Sequence, residues 1–415
     1  MEGAHKRLIV IGGGAAGFFC AINAARLQPG LQVILLEKSS KLLSKVRVSG
    51  GGRCNVTHSL FEIGAFSRRY PRGQNFLKKT LHQFDAAATV AWFAERGVTL
   101  KTEADGRMFP ETDSSETIIA CLLREAARFS VEIRMNADVR SVRKDEVFHV
   151  ELAGGRLLEA DFLCIATGGA PKSAQFDWLR ALGHRIVEPL PSLFTFNIPG
   201  HPITSLMGLS VERARVKVEG SKLAEEGPLL ITHWGLSGPA VLRLSAWGAR
   251  ELAEKQYHFT VHVHWTPDLS ENDLKDLLAD ARRMHPQKKV ANGNPTDIPV
   301  RLWEFLLQAA GISLDQRFAD LPAKAENALI RGLTDSVFMV TGKTTFKEEF
   351  VTAGGVQLSE VDPNTMMSRK IPGLYFAGEV LDVDGITGGF NFQHAWTSGF
   401  IAAKLPSLQD TSGPR

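Results

Sequence analysis

The first clear pattern in the chain is a short apolar run, Leu8-Ile9-Val10-Ile11, entered through Arg7. It is continuous rather than alternating and too short for a helix, as expected of a strand buried on both faces. Glycines at 12, 13, 14 and 17 interrupt it, residues 18–26 then read as a helix, and a second apolar run at 33–36 ends on an acid, Glu37. Residues 1–38 therefore predict a β-α-β unit. Residues 74–96 carry Phe76, Leu77, Leu81, Phe84, Ala87, Ala88, Ala91 and Trp92 at helical spacing and predict one helix. Residues 117–129 predict an amphipathic helix started by Asp113-Ser114-Ser115-Glu116. Strands follow at 132–135 and 147–152, and a buried-type strand at 162–166 runs into Thr167-Gly168-Gly169.

The texture changes near Pro189. Phe194, Phe196 and Ile198 alternate with polar residues, as do Ala214, Val216 and Val218 with Arg213, Arg215 and Lys217, and Tyr257 to Trp265 with His258, Thr260, His262 and His264. Half-buried strands of this kind predict an antiparallel sheet or barrel. Helices follow: Ser270 and Asp273 form a capping box before Leu274, Leu277, Leu278 and Ala281, with further helices at 300–310 and 323–333. Near Thr341 the glycine-rich style returns at 352–356 and 373–379. The expected fold is α/β. A doubly wound, Rossmann-like domain (residues 1–189 and 341–415) is interrupted by a β-barrel-like part (190–266) and a helical part (267–340).

Gly12, Gly14 and Gly17 form G-x-G-x-x-G between a strand and a helix, with an acid at the end of the next strand. This is the context a dinucleotide-binding fingerprint requires. Gly12 allows the tight turn, Gly14 the close approach of backbone to a pyrophosphate, and Gly17 the packing of helix on strand. The helix N-terminus offers free N–H groups to the phosphates, and Glu37 can bind a ribose. At the other end of the chain, an apolar strand at 374–377 stops at Gly378-Glu379, and Gly385 to Gln393 leads into an apolar helix at 394–403. An acid followed by glycines and a helix start suits the ribityl chain and pyrimidine end of a flavin.

These segments, together with Ser49-Gly-Gly-Gly-Arg-Cys-Asn55, Ala166 to Gly169, Val351 to Val356 and Gly373 to Asp384, resemble the BaiN/RdsA-type flavoproteins over nearly the whole chain. The resemblance implies FAD-dependent oxidoreductases that include aminoacetone oxidases and bile-acid reductases. It implies that Gly12, Gly14, Ala15, Ala16 and Gly17 meet the pyrophosphate, and Glu37 and Lys38 the adenosine ribose. Val139 then offers its backbone to adenine, and Thr167 and Gly168 pass near the adenosine–pyrophosphate region. Gly378, Glu379, Gly389, Phe390 and Asn391 lie along the ribityl–isoalloxazine half.

Cys54 sits in the second glycine-rich loop, which reads as exposed. It is either a thiol near the flavin, with Arg53 lowering its pKa, or a small residue packed beneath the flavin while Arg53 and Asn55 supply polar contacts. The other cysteines, Cys20, Cys121 and Cys164, fall in core-like segments, and no C-x-x-C occurs, as suits a reducing cytosol. The His258, His262 and His264 face fits a solvated strand better than a metal site, so no metal is expected. With 48 Lys and Arg against 45 Asp and Glu, the net charge is +3 and no dense basic block appears. That gives nucleic-acid binding no electrostatic support. The glycine-broken 8–25 segment is neither a signal nor a membrane span.

The sequence thus predicts a cytoplasmic FAD-dependent oxidoreductase that works on a small organic substrate through flavin N5, with neither nucleic acid nor membrane as partner. No second G-x-G-x-x-G is present, so NAD(P)H, if it is the second substrate, binds transiently; O2 is the other candidate. The alternatives are a flavin-containing RNA-modifying or RNA-binding protein and an NAD-only dehydrogenase.

Overall fold

Leu8, Ile9 and Val10 are fully buried, as are Leu163, Cys164 and Ile165, because both runs lie inside one parallel sheet. In the computed structural model, which describes residues 6–345 and 351–406, the strands are β1 (Arg7–Ile11), β2 (Gln32–Leu36), β3 (Glu132–Arg134), β4 (Phe162–Ile165) and β5 (Leu374–Phe376). Their order across the sheet is β5-β4-β1-β2-β3, all parallel. Sequence-distant β5 joins β4 in register, Leu163 opposite Leu374, so the C-terminal run completes the sheet begun at the N-terminus. The C-terminal ends of β1, β4 and β5 are consecutive along one edge, where ligands bind in open parallel sheets.

Helix α1 (Ala15–Leu27) follows β1, and its buried side includes Phe18, Phe19 and Ile22. Helices α2 (Ser44–Gly52), α3 (Ile63–Ser67) and α4 (Gln74–Leu81) come next, and α5 (Phe390–Ala402) closes the unit. The backbone of α1 meets that of α5 closely at Gly399, where a Cβ would stand 2.6 Å from the Ala16 carbonyl oxygen. The 74–96 stretch, expected as one helix, is two. Asp85 leaves the helical conformation and its carboxylate accepts from Ala88 N at 2.8 Å, capping a separate helix, Ala86–Ala94. Likewise α5 begins four residues before the expected start, because Gly389 takes φ +91° and turns the chain into the helix at Phe390.

The described chain divides into two units, Met1–Ser192 with Lys347–Arg415, and Leu193–Phe346. In the second, the alternating runs form a seven-stranded antiparallel sheet in which His258–His264 pairs with both Ser210–Val218 and Ser336–Thr341. Its two edge strands, Ser336–Thr341 and Lys343–Thr344, are separated in the chain by Gly342 alone. No ladder closes this sheet into a barrel among the described residues. Nor do sheet and helices form separate cores: Val216, Val261 and Trp265 share one hydrophobic cluster with Leu274, Leu302, Trp303 and Leu329. The Ser270–Asp273 capping box is present, with Asp273 N donating to Ser270 Oγ at 3.2 Å.

Candidate functional site

The turn after β1 separates two kinds of glycine. Gly12 has φ +118°, and a Cβ there would lie 2.3 Å from the Ala166 carbonyl oxygen; at Gly17 it would lie 1.9 Å from the Gly12 carbonyl oxygen. The close approach of the chain leaving β4 demands the first, and the packing of α1 against the turn demands the second. Gly14 differs: its φ of −94° suits any residue, and a Cβ would meet no protein atom within 4 Å. No protein neighbour requires glycine there, so the open side of Gly14 is room for a ligand. Helix α1 starts with no side-chain cap and no acid in its first turn, which leaves its first N–H groups for an anion.

At the end of β2 the Glu37 carboxylate accepts from Gly13 N at 2.9 Å and from Ser39 N and Oγ, both at 2.8 Å. It is fixed beside the turn, with Lys38 exposed next to it. The Glu37 carbonyl accepts from Ala137 N at 2.8 Å, which brings Val139, two residues on, to the same edge. Ala166 N donates to Ile11 O at 2.8 Å, so Thr167 and Gly168 emerge from β4 alongside Gly12.

The opposite half is assembled where β5 ends. Gly378 N donates to Ser398 Oγ at 2.8 Å, and the Gly378 carbonyl oxygen lies 3.1 Å from His394 Nε2. Glu379 accepts from Thr352 N at 2.8 Å through one oxygen and pairs with Lys45 at 2.6 Å through the other. Asn391 closes the loop before α5, accepting from Gly385 N at 2.8 Å and donating to Gly385 O at 2.9 Å. Asn55 ties the second glycine-rich loop to α5. In the amide orientation that satisfies both groups, its oxygen accepts from Gly389 N at 2.9 Å and its nitrogen donates to Thr57 O at 3.0 Å. Helix α5, like α1, starts with neither a side-chain cap nor an acid in its first turn. Two buried polar atoms near Gly378 and Glu379, His394 Nδ1 and Thr352 Oγ1, have no partner among the described residues. An uncapped helix start at each half, an open Gly14 and unspent polar atoms between them fit an extended dinucleotide.

Some of the expected residues also make contacts within the protein. The Phe390 ring is buried, with the His58 ring stacked at 4.9 Å and Phe66 edge-on at 4.9 Å, while its carbonyl accepts from Tyr70 at 2.6 Å. It builds the floor of the loop. Arg53 donates to Glu103 at 2.5 Å and lies over the Phe109 ring at 4.1 Å, so its charge is spent locally. Cys54 is fully buried and not in an exposed loop, because the Ser49–Gly52 kink folds it inward; burial pushes its thiol up to about 12. This favours the packing alternative for Cys54. In the native protein it is therefore expected to resist thiol-directed alkylation at pH 8 and to react on denaturation, and Cys54→Ser is expected to retain its cofactor. Sequence reasoning passed over Lys45, Thr352 and His394, whose roles depend on contacts between segments far apart in the chain.

His394 sets a pH dependence. Burial drives its imidazole down to about 4, against an ordinary value of 6.5. The native state holds it neutral, whereas the unfolded chain takes up a proton below 6.5. Its contribution to stability is therefore intact above pH 6.5 and lost as pH falls towards 4, by about 3 kcal/mol at most. His394→Gln, which can still donate to Gly378 O, is expected to flatten the stability-versus-pH curve between 6.5 and 4 in urea titrations.

The HI0933-like protein Rossmann domain family matches residues 6–405. The chain belongs to this family, one of Rossmann-type flavoprotein oxidoreductases. It is 34% identical to the ribosomal RNA dihydrouridine synthase of Escherichia coli K12, over 95% of this chain and 96% of that protein. It is 30% identical to the 3-dehydro-bile acid delta(4,6)-reductase of Clostridium scindens, over 96% and 98%. Among solved structures, the 3-ketosteroid-delta4-(5alpha)-dehydrogenase of Rhodococcus jostii RHA1 shares the fold, with TM-score 0.52 and 13% identity over 96% of this chain and 97% of that one. The first relative overturns the expectation of no nucleic-acid partner. That expectation rested on the small net charge and on the absence of a dense Lys/Arg block, and net charge averages over the whole surface. No described helix is long and apolar enough to cross a membrane.

Proposed function

We propose that the protein is an FAD-dependent reductase that saturates a carbon–carbon double bond conjugated to a carbonyl, with uridine of ribosomal RNA as its substrate. The observation that carries this reading is the end-to-end similarity to a protein named for making dihydrouridine in ribosomal RNA. The bile-acid relative supports the reaction class. A uracil C5=C6 bond and a 3-oxo-4,6-diene both present an alkene polarised by a carbonyl. Each needs a hydride at the far carbon and a proton at the near one. Bound FAD would supply the hydride, NAD(P)H the two electrons that reduce it, and solvent the proton at the near carbon.

The chain's own residues hold and orient that cofactor. The α1 start and Gly14 take the pyrophosphate, and Glu37 the ribose. Glu379, locked by Lys45 and Thr352, lines the ribityl half. The positive end of α5, fixed by Asn55 and Asn391, stabilises negative charge on the pyrimidine side. The similarity to the Clostridium scindens reductase favours a second reading, a steroid-like dienone as substrate. Nucleoside mass spectrometry of ribosomal RNA decides between them. Dihydrouridine is expected to vanish on gene deletion and to return when purified protein and NADPH act on the deletion-strain RNA. Unchanged dihydrouridine together with turnover of a steroid dienone would transfer the assignment to the second reading.

A further inference from the structure

Between Glu62 and Asp85 the chain carries no acidic residue, but it has Arg68, Arg69, Arg72, Lys78 and Lys79. In a protein whose net charge is only +3, this is a concentrated excess. The structure folds the stretch into α3 and α4. Arg68, Arg69, Lys78 and Lys79 are exposed, and none of the four makes an ion pair among the described residues. Elsewhere on the surface most arginines are neutralised, Arg213 and Arg215 by Glu226 for example. The flanking Glu62 spends its carboxylate capping α3, accepting from Gly64 N at 2.7 Å.

The stretch is bolted to the loop that leads into α5. Tyr70 donates to Phe390 O at 2.6 Å, Ile386 N donates to Arg69 O at 3.0 Å, and Arg72 pairs with buried Asp384. Beside the start of α4 lies an open groove of about 440 Å³, lined by Gln74, Asn75, Lys79 and Ser359, with Arg369 on its far side, 3.8 Å from Asp362.

We infer that the α3–α4 surface is an RNA docking strip, with Arg68, Arg69, Lys78 and Lys79 contacting phosphates of the strand that presents the target base at α5. This rests on the proposed RNA substrate. Exposed cations that make no ion pair suit a polyanion, because they release its counterions without breaking internal pairs. A protein partner would call for a buried apolar centre, and the four side chains supply none.

The test uses the full-length protein carrying Arg68→Gln, Arg69→Gln, Lys78→Gln and Lys79→Gln together. Flavin content and thermal midpoint are read first and are expected to match wild type. Binding of a fluorescent single-stranded uridine-rich RNA is then titrated across salt concentrations. The variant is expected to bind at least about tenfold more weakly, with the slope of log K against log salt reduced by about three, roughly 0.7 per lost phosphate contact on a single strand. A second variant with lysine at 68 and 69 is expected to bind as wild type does. Equal affinity and slope in wild type and the glutamine variant would overturn the strip while leaving the RNA reading intact. No RNA affinity in wild type, with no dihydrouridine made, would overturn both. Preference for anionic phosphatidylglycerol vesicles over RNA would reassign the strip to a lipid surface and overturn the inference.

Discussion

Gly14→Val is expected to give a folded, colourless protein. The backbone at Gly14 (φ −94°, ψ −171°) is extended, a region that β-branched residues favour, and an added Cβ meets nothing within 4 Å. The substitution therefore costs the protein itself little. It does fill the space in front of the α1 N-terminus, where a pyrophosphate must come within hydrogen-bonding distance of the backbone. Gly17→Val makes the contrast. Its Cβ would fall 1.9 Å from the Gly12 carbonyl oxygen, a backbone atom that cannot move without shifting β1 against α1. Overpacking of that kind costs about 1–3 kcal/mol or more, so this variant is expected to fail in folding rather than in binding alone. The flavin-to-protein absorbance ratio after desalting reads the first effect. Urea midpoints of the cofactor-stripped proteins read the second, since bound ligand would otherwise stabilise wild type selectively. A yellow Gly14→Val protein would displace the cradle from this turn.

The same two glycines show what the sequence can and cannot reveal. The strand, glycine turn, helix and terminal acid are local, so the first half of the site is legible from residues 7–37 alone. The alternation at 258–264 and the Ser270–Asp273 box are legible for the same reason, since side-chain periodicity and a three-residue cap need no tertiary knowledge. What the sequence hides is contact between distant segments. Cys54 looks exposed in a run of glycines, yet the positive φ angles at Gly50, Gly51 and Gly52 fold it into the core. Arg53 looks available to a cofactor, but Glu103 and Phe109, some fifty residues later, claim it. The enclosure of the Phe390 ring by Tyr70, His58 and Phe66 is likewise invisible in the sequence. Net charge sums over acids and bases that pair elsewhere on the surface, whereas an acid-free stretch such as residues 63–84 survives that cancellation.

Asp384→Ala is expected to cost about 3–5 kcal/mol of stability, the range for removing one partner of a buried ion pair. Asp384 is fully buried and the Arg72 side chain is 12% exposed. Arg72 Nε donates to Asp384 Oδ1 at 2.5 Å, and Ser192 Oγ donates to Oδ2 at 2.7 Å. Truncation at 384 leaves a guanidinium with little water to replace the carboxylate, and removes the acceptor of the Ser192 hydroxyl as well. The loss is expected to spread, because Asp384 immediately precedes the Gly385–Asn391 loop and Arg72 lies two residues after Tyr70, which holds Phe390 O. Flavin retention should therefore fall along with stability. The pair as a whole need not be stabilising, since desolvating two charges offsets most of their attraction. The double variant Arg72→Met/Asp384→Leu removes both charges and refills the volume, and it is expected to recover most of the loss. Urea titrations of wild type, the two single variants and the double variant form a thermodynamic cycle that reads the coupling directly. If Asp384→Ala unfolds at the wild-type midpoint, the pair carries no structural role, and the loop before α5 is held by its other ties, Asn391, Asn55, Tyr70 and the Ile386–Arg69 bond.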